Sequence, residues 1–330
     1  MKERVEKFRD NFHRVEEEIG KVIVGQRDII EGILLCLFAN GHVLLEGLPG
    51  LGKTLMVKTM SDALDLTFSR MQFTPDLMPA DIIGTNIVIE NEQGRKEFQF
   101  QKGPIFANVV LADEINRATP KTQSAMLEAM QEHTVSVAGI TYRLEEPFFV
   151  LATQNPIEME GTFPLPEAQL DRFLFKLKVK YPAPDELSEI IDRTTVNEIP
   201  EASKILEADQ VTEMRWLIRE VVLASHVREK AVNLVFATRP ESDLSPDEVK
   251  KYVRYGSSPR GAQALILASK VKALLDGRYN VSIDDIQHVA YPSLRHRMIL
   301  NFEGEAEGID TDEIIRIILE RSEIKSADRA

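Results

Sequence analysis

Residues 43–54 have the sequence VLLEGLPGLGKT, a short apolar run followed by a glycine-rich loop. Glycines allow consecutive backbone N–H groups to surround a phosphate chain, which a Cβ atom would obstruct. Residues 55–64 carry apolar side chains at helical spacing, so the loop would end at the positively polarised N-terminus of a helix. The segment therefore predicts a phosphate-binding loop. It fits the pattern G-x-x-x-x-G-K-[ST] and consists of Gly47, Leu48, Pro49, Gly50, Leu51, Gly52, Lys53 and Thr54.

Two side chains at the end of this loop have the chemistry that a nucleotide requires. Lys53 can reach the β- and γ-phosphates, and the Thr54 hydroxyl can ligate Mg²⁺. ATP and Mg²⁺ are therefore the predicted cofactors. The alternative is a glycine-rich loop that binds nothing, and the strand before it and the helix after it count against that interpretation.

Two acids follow a fully apolar run in VVLADE, residues 109–114. Open α/β sheets bind ligands at the edge formed by the carboxyl ends of their strands. At that edge Asp113 would hold Mg²⁺ through water, and Glu114 would orient or polarise the water that attacks the γ-phosphate. In isolation the pair would indicate only an acidic turn after a strand.

A second apolar run ends in polar residues in FFVLATQNP, residues 148–156. Asn155 could hydrogen-bond the γ-phosphate or the attacking water. An Asn-Pro pair is normally only a turn. The prediction for Asn155 therefore requires that this strand lie beside the strand ending at Asp113.

Apolar strands alternate with helical periods over residues 43–153, which predicts an α/β fold with a parallel sheet covered on both faces. Two β-hairpins are expected on the connections around the third strand, over residues 86–102 and 134–143.

The pattern changes to helical periods after residues 181–184, where prolines predict a domain boundary. We expect residues 1–184 to form an N-terminal helix plus the α/β domain, and residues 185–330 to form a helical domain. Within the latter we expect a helix over residues 212–225, and we expect Trp216 to lie in the core of the helical domain.

The chain has 330 residues, one cysteine and a formal net charge of −13. Phosphate contacts need a basic surface, so this charge weighs against a nucleic-acid binder. The longest apolar run, residues 33–39, is too short to span a bilayer, and the charged N-terminus lacks the apolar core of a signal peptide. With Cys36 alone no internal disulfide can form, and we expect a cytoplasmic protein without membrane insertion.

Five segments occur in a fixed order along the chain: GLPGLGKT, LADEINRA, ATQNP, LPEAQLDRF and GSSPRGA. Together they resemble the MoxR-type AAA+ ATPases, and the resemblance extends from Val24 to Arg297. It implies a parallel-sheet P-loop (AAA+) nucleotide-binding domain, with both hairpins as insertions, followed by an all-α lid domain.

The resemblance implies roles that spacing alone does not give. Asn155 would be the first sensor, Arg172 the arginine finger that reaches a neighbouring subunit's γ-phosphate, and Arg260 the second sensor on the lid. Val24 and Gly25 would line the adenine pocket. A guanidinium stabilises the charge of a dissociative phosphoryl transition state. The alternative for either arginine is a surface salt bridge, and whether Arg260 acts on its own or a neighbour's nucleotide stays open.

The leading hypothesis is a Mg²⁺-dependent ATPase that works as an oligomeric ring, expected to be a hexamer. The resemblance implies chaperone-like remodelling, maturation or activation of a client protein, and clients with a von Willebrand factor A domain are typical of the family. One alternative is a nucleic-acid motor related to minichromosome-maintenance helicases, which share the hairpins. Another is a nucleotide-gated scaffold with vestigial hydrolysis. The hairpins would point at a ring's central channel or decorate the sheet edge.

Overall fold

The computed structural model describes residues 2–90, 94–156, 161–196 and 200–327. Its strands are β1 (Val43–Glu46), β2 (Phe68–Gln72), β3 (Gly84–Glu90), β4 (Lys96–Lys102), β5 (Val109–Asp113), β6 (Thr134–Val137), β7 (Ile140–Arg143), β8 (Phe149–Gln154), β9 (Phe175–Lys178), β10 (Val253–Tyr255) and β11 (Ile299–Leu300). Its helices are α1 (Lys2–Val22), α2 (Arg27–Phe38), α3 (Lys53–Ala63), α4 (Pro79–Ile83), α5 (Pro120–Glu132), α6 (Glu167–Leu170), α7 (Pro184–Thr194), α8 (Ala208–Glu220), α9 (Ser225–Ala237), α10 (Asp247–Tyr252), α11 (Pro259–Leu275), α12 (Ile283–Leu294), α13 (Phe302–Ala306) and α14 (Thr311–Ala327).

The central sheet has five parallel strands in the order β2-β5-β8-β1-β9. Successive residues of β5 alternate between two apolar clusters, since Leu111 belongs to one and Val110 to the other, and both are fully buried. Both faces of the sheet are therefore covered, which confirms the predicted fold class. Because the strands are parallel, the loop after β1, Asp113 at the end of β5 and Asn155 after β8 lie at one edge.

Both predicted hairpins are present as antiparallel pairs, β3 with β4 and β6 with β7. The turn residues 91–93 of the first hairpin lie outside the described residues. The Phe100 ring stacks on the Tyr142 ring at a centroid distance of 4.2 Å. The two hairpins thus support each other through a side-chain contact beside the sheet.

The segment after β9 is mainly helical, as predicted, but it also contains the antiparallel pair β10–β11. Strands of three and two residues are too short to show alternation in the sequence. The helix expected over 212–225 is α8, which ends at Glu220 because Val221 has extended backbone angles (φ −59°, ψ 129°). The prediction for Trp216 is wrong: its side chain is 69% exposed, whereas α8 buries the face with Met214 and Leu217.

Helix α1 joins the two parts of the chain. Its buried aromatic residues Phe8 and Phe12 contact Phe38 at the end of α2, with ring centroids 5.6 and 5.7 Å apart. One apolar cluster continues from α1 through the sheet into α11 and α12. The lid therefore packs on the core through a shared apolar interior. Within the described ranges, no helix is long and apolar enough to cross a membrane.

Candidate nucleotide-binding site

The loop after β1 has a backbone suited to binding an anion. Gly50 and Gly52 have φ values of 81° and 74°, a left-handed conformation that is strained for residues with a Cβ. Open space surrounds both Cβ positions. Helix α3 begins at Lys53 directly after Gly52, so its first N–H groups, which have no acceptor within the helix, lie at the loop. Residues 47–54 therefore form a cradle that fits a phosphate chain.

The lysine of the loop is turned toward the loop backbone. Lys53 Nζ donates hydrogen bonds to the carbonyl oxygens of Gly47 at 2.6 Å and Leu48 at 2.8 Å. Desolvation lowers the pKa of Lys53, and the charges of Asp113 and Glu114 oppose that shift. The acids predicted to act on the nucleotide are thus close enough to act electrostatically on this lysine.

Asp113 uses both carboxylate oxygens. Oδ1 accepts a hydrogen bond from Thr153 Oγ1 at 2.7 Å, and Oδ2 accepts from Arg70 Nη2 at 2.7 Å and Nε at 3.2 Å. Carboxylate and hydroxyl oxygens are the ligands that Mg²⁺ prefers, so Asp113 and Thr54 fit that ion. Arg70 provides a positive charge at the same carboxylate.

Glu114 adopts a left-handed backbone conformation with φ 56° and ψ 50°, which costs a non-glycine residue about 1–2 kcal/mol. Its backbone N–H donates to Thr153 Oγ1 at 2.8 Å. Its Oε2 accepts from Gln72 Nε2 and from Arg117 Nη1, both at 2.9 Å. The Thr153 hydroxyl therefore connects the two acids. Strand β2 contributes one hydrogen-bond donor to each acid, Arg70 to Asp113 and Gln72 to Glu114.

Sequence reasoning missed four of these residues: Arg70, Gln72, Arg117 and Thr153. Thr153 lies within the motif ATQNP, but the role of its hydroxyl depends on the pairing of β8 with β5. Arg70 and Gln72 are two positions apart and therefore lie on the same face of β2. Strand β2 pairs with β5 so that Gln72 is opposite Asp113. The available signal was a pair of polar residues two positions apart on a strand, and only the strand order gives it meaning.

Asn155 lies at the expected position. It is buried directly after β8, and β8 pairs with β5, so the condition for its prediction is fulfilled. The Gly47 N–H donates to Gln154 O at 3.2 Å, which links the phosphate loop to the end of the same strand.

The segment predicted to contact adenine lies beside the end of β1. Gln26 Nε2 donates to Lys180 O at 2.8 Å, and a Cβ on Gly25 would lie 2.2 Å from Glu186 Oε1. Gly25 borders two cavities of about 680 and 540 Å³, and Val24 borders the smaller one. Val24 and Gly25 therefore border cavities that could accept a nucleotide base beside the α/β domain.

The two predicted arginines, one after α6 and one in α11, both form hydrogen bonds with helix α5. Arg172 Nη1 donates to Leu127 O at 2.6 Å, and Arg260 Nη2 donates to Gln131 Oε1 at 3.4 Å. Leu127 and Gln131 are four residues apart on α5, so their positions are one turn apart on the same face. Each arginine thus forms a hydrogen bond with this helix of the same chain.

The C-terminal half of α5 lies toward the sheet edge at which the strands begin. His42, the residue before β1, donates from Nε2 to Met130 O at 3.0 Å, and its Nδ1 accepts from the Val150 N–H at 3.0 Å. Gly47 is five positions after His42 along extended chain, about 16 Å away. The structure thus brings Lys53, Asp113, Glu114 and Asn155 to one edge and places Arg172 and Arg260 beside the far half of α5.

Two sequence models of protein families match the chain. One is described as "ATPase family associated with various cellular activities (AAA)" and matches residues 42–175. The other is described as "AAA lid domain" and matches residues 247–318. The fold, the site and these matches together define an AAA-class ATPase with a lid.

Several relatives cover most of the chain. "Chaperone MoxR1" of Mycobacterium tuberculosis is 46% identical, over 92% of this chain and 79% of the relative. "Protein MoxR" of Methylorubrum extorquens is 31% identical, over 89% of both chains. A crystal structure of a protein from Cytophaga hutchinsonii has a TM-score of 0.90 and 44% identity, with 97% of this chain and 96% of that chain covered. The chain belongs to the MoxR family of AAA+ ATPases.

Proposed function

We propose that this protein hydrolyses ATP with Mg²⁺ in an oligomeric ring in the cytoplasm and uses the reaction to remodel a client protein. The observation that carries the proposal is the division of the site within one subunit. The phosphate loop, Asp113 and Glu114 lie at one sheet edge, whereas Arg172 and Arg260 are hydrogen-bonded to the far half of α5. One subunit would therefore supply the loop and its neighbour the arginines.

The chemistry proposed for this chain's own residues follows from their positions. The N–H groups of the loop and Lys53 would bind the β- and γ-phosphates. Glu114 would orient the attacking water, and Asn155 would hydrogen-bond that water or the γ-phosphate. Thr54 and Asp113 would hold Mg²⁺, directly and through water. When bound, Mg²⁺ supplies neutralisation of charge on the β- and γ-oxygens.

The shared position of the arginines supports action between subunits. Arg172 and Arg260 contact α5 one turn apart, so a neighbour that meets one meets the other. We therefore propose that Arg172 is the arginine finger and that Arg260 acts on the same neighbouring nucleotide. A guanidinium in this role contributes about 10³–10⁵ in rate. Six subunits are proposed from the family resemblance.

The client side of the proposal rests on the relatives and on the hairpins. One relative is named a chaperone, which supports a chaperone-like role here. On the first hairpin Val88 and Phe98 are directly paired and are 57% and 79% exposed. An apolar pair of this kind supports contact with a client rather than decoration of the sheet edge. We propose a client with a von Willebrand factor A domain. We also propose that residues 1–184 form the N-terminal helix and the ATPase domain, and that residues 185–330 form the lid.

The test is capture of the client by a variant that binds ATP without hydrolysing it. Glu114→Gln with ATP should retain the client in a pull-down, whereas the same variant with ADP should release it. Glu229→Gln, which changes an exposed glutamate on α9 away from both ends of the proposed site, is the matched control and should behave as wild type. Equal ATP turnover by Glu114→Gln and wild type would show that hydrolysis is not the function. Recovery of DNA without protein would support the helicase-like alternative.

A further inference from the structure

The guanidinium of Arg297, between α12 and β11, is almost completely buried, with 2% of its side chain exposed. All but one of its hydrogen bonds go to the segment 171–174, which contains Arg172. Its Nε donates to Asp171 Oδ1 at 2.9 Å, and its Nη atoms donate to the carbonyl oxygens of Asp171 at 3.1 Å, Phe173 at 2.6 Å and Leu174 at 3.1 Å. The remaining acceptor is Ser293 O, on α12. A single lid side chain, Arg297, thus forms hydrogen bonds with the residues on both sides of Arg172.

The second oxygen of Asp171 extends this contact to the other arginine. Ser258 Oγ donates to Asp171 Oδ2 at 2.7 Å and accepts from the Arg260 N–H at 3.1 Å. Ser258 is the N-cap of α11, so the carboxylate of Asp171 contacts the start of the helix that carries Arg260. Asp171 is therefore adjacent to Arg172 in sequence and one hydrogen bond away from the cap beside Arg260.

The lid packs tightly around Arg297 and makes a second contact with the segment 171–174. A Cβ on Gly261 would lie 3.3 Å from Arg297 Cδ and 2.0 Å from Ser257 Oγ. His296 Nε2 also donates to Phe173 O, at 3.0 Å. Two consecutive lid residues therefore hold the same carbonyl group, and α11 packs directly against Arg297.

The residue type fits this geometry. Arginine has five N–H donors in a planar fork, and here they reach acceptors on two sides of the segment 171–174. Lysine would keep the charge, but its compact ammonium group could not reach the same set of acceptors. Burial lowers the pKa of Arg297 to about 10, while the charge of Asp171 opposes that shift. A buried cation of this kind is retained only where its partners compensate for the lost hydration.

We propose that Arg297 and Asp171 are positioning residues that fasten the finger segment to the lid, so that a lid movement in one subunit displaces Arg172 in its neighbour's site. The inference rests on the proposed function, because it takes Arg172 to act between subunits. The lid also lines the larger cavity beside Gly25, through His288 and Arg295, so a nucleotide bound there would act on the lid and, through Arg297, on the adjacent site. Neither residue contacts the nucleotide of its own subunit in this arrangement.

The test separates the subunit that donates the finger from the subunit that receives it. A donor carries Lys53→Ala and keeps its finger, and an acceptor carries Arg172→Ala and keeps its phosphate loop. Each alone should be inactive, and co-expressed rings with two affinity tags should regain ATP hydrolysis at acceptor loops. Arg297→Lys added to the donor should lower the regained rate at least about tenfold, because a small misplacement of a catalytic group is costly. Arg297→Lys added to the acceptor should change it by less than about twofold, because that subunit has no finger to position.

The outcomes are distinct. Equal losses on both sides, or no loss on either, would overturn the positioning role, because a merely structural residue acts in every subunit. If the parent donor and acceptor regain no activity together, the shared site itself is wrong and the inference falls with it. If Arg297→Lys does not fold, Asp171→Asn in the donor is the second variant. It removes the charge that Arg297 binds but keeps the shape of the side chain.

A measurement without hydrolysis completes the design. In Arg297→Lys, amide hydrogen exchange of residues 171–174 should rise at least about tenfold, because local opening becomes easier. The amides of β1 should be unchanged in the same sample. Unchanged exchange at 171–174 would contradict the role of Arg297 in holding the segment.

Discussion

The phosphate-loop end and the arginine end of this chain are built in different ways. The phosphate loop consists of eight consecutive residues, 47–54, and its geometry comes from local backbone angles such as the positive φ of Gly50 and Gly52. The arginine end is assembled from Asp171, Ser258 and Arg297, which come from three separate parts of the chain. A site made by local backbone leaves a compact motif in the sequence, whereas a site made by tertiary contacts does not.

The two ends also differ in their histidines. His42 and His296 are buried, and burial holds the pKa of His42 at about 4 and that of His296 well below its usual value. His42 bonds α5, and His296 bonds the carbonyl of Phe173. Both belong to the arginine end, so the two ends should respond differently to mutation and to acid.

The largest effect expected is that of Arg172→Ala. ATP hydrolysis by the assembled protein should fall by about 10³–10⁵, because an arginine finger stabilises charge that develops only in the transition state. Affinity for a fluorescent ATP analogue should change by less than about threefold, since ground-state binding does not need it. Steady-state kinetics and equilibrium binding measure the two quantities. A loss of affinity as large as the loss of rate would mean that Arg172 binds the ground state as strongly as the transition state, and would contradict its role as an arginine finger.

Lys53→Ala should show the reverse pattern at the loop end. Nucleotide affinity should fall about 100-fold, about 3 kcal/mol, because a charged hydrogen-bond donor to the phosphates is removed. Lys58→Ala, which changes an exposed lysine five residues further along α3, is the control and should bind as wild type. Isothermal titration measures both variants. Retained affinity in Lys53→Ala would contradict the proposed cradle.

Much of the loop end could be predicted from the sequence. The parallel sheet, both hairpins and the edge shared by Lys53, Asp113 and Asn155 follow from strand and loop patterns. The contact of Thr153 with both acids could not be predicted, because it depends on strands far apart in sequence being neighbours. The prediction for Trp216 is wrong because a large apolar residue usually points inward. In α8 the buried face contains Met214 and Ile218, each two positions from Trp216, which therefore points away from the core.

The arginine end was less predictable. The roles of Arg172 and Arg260 come from the family resemblance. Nothing in their spacing indicates that both form hydrogen bonds with helix α5. Arg297 carried no signal, since one arginine in a helical segment is most often a solvated residue. Its role appears only when the lid and the segment 171–174 are brought into contact.

Acid should weaken the arginine end before the loop end. The unfolded chain binds protons at His42 below its ordinary pKa of 6.5, whereas the folded chain does not until about pH 4. Stability is therefore fully present above pH 6.5 and is lost as the pH falls toward 4, by about 2–3 kcal/mol for this residue. Urea unfolding at several pH values measures the slope.

The control pair for the pH effect is His42→Gln and His226→Gln. Glutamine keeps one donor and one acceptor but does not titrate, so His42→Gln should flatten the slope, and exposed His226→Gln should leave it unchanged. Hydrogen exchange at pH 5 should rise first at α5 and in residues 171–174. Earlier opening of the phosphate loop would contradict the assignment of the buried histidines to the arginine end.

The smallest effect expected compares two helix caps in the lid. Ser282 is an N-cap in a capping box with Asp285, and Ser282→Ala should cost about 1 kcal/mol of unfolding free energy. Ser258 is the N-cap of α11, where it accepts from the Arg260 N–H without a capping box, and it also donates to the charged Asp171, so Ser258→Ala should cost about 2 kcal/mol or more. Only Ser258→Ala should also lower ATP hydrolysis, because only this cap touches the segment that carries Arg172. Equal stability losses with equal activities would mean that the bond from Ser258 to Asp171 is an ordinary surface contact, and that the lid is fastened to the finger by Arg297 alone.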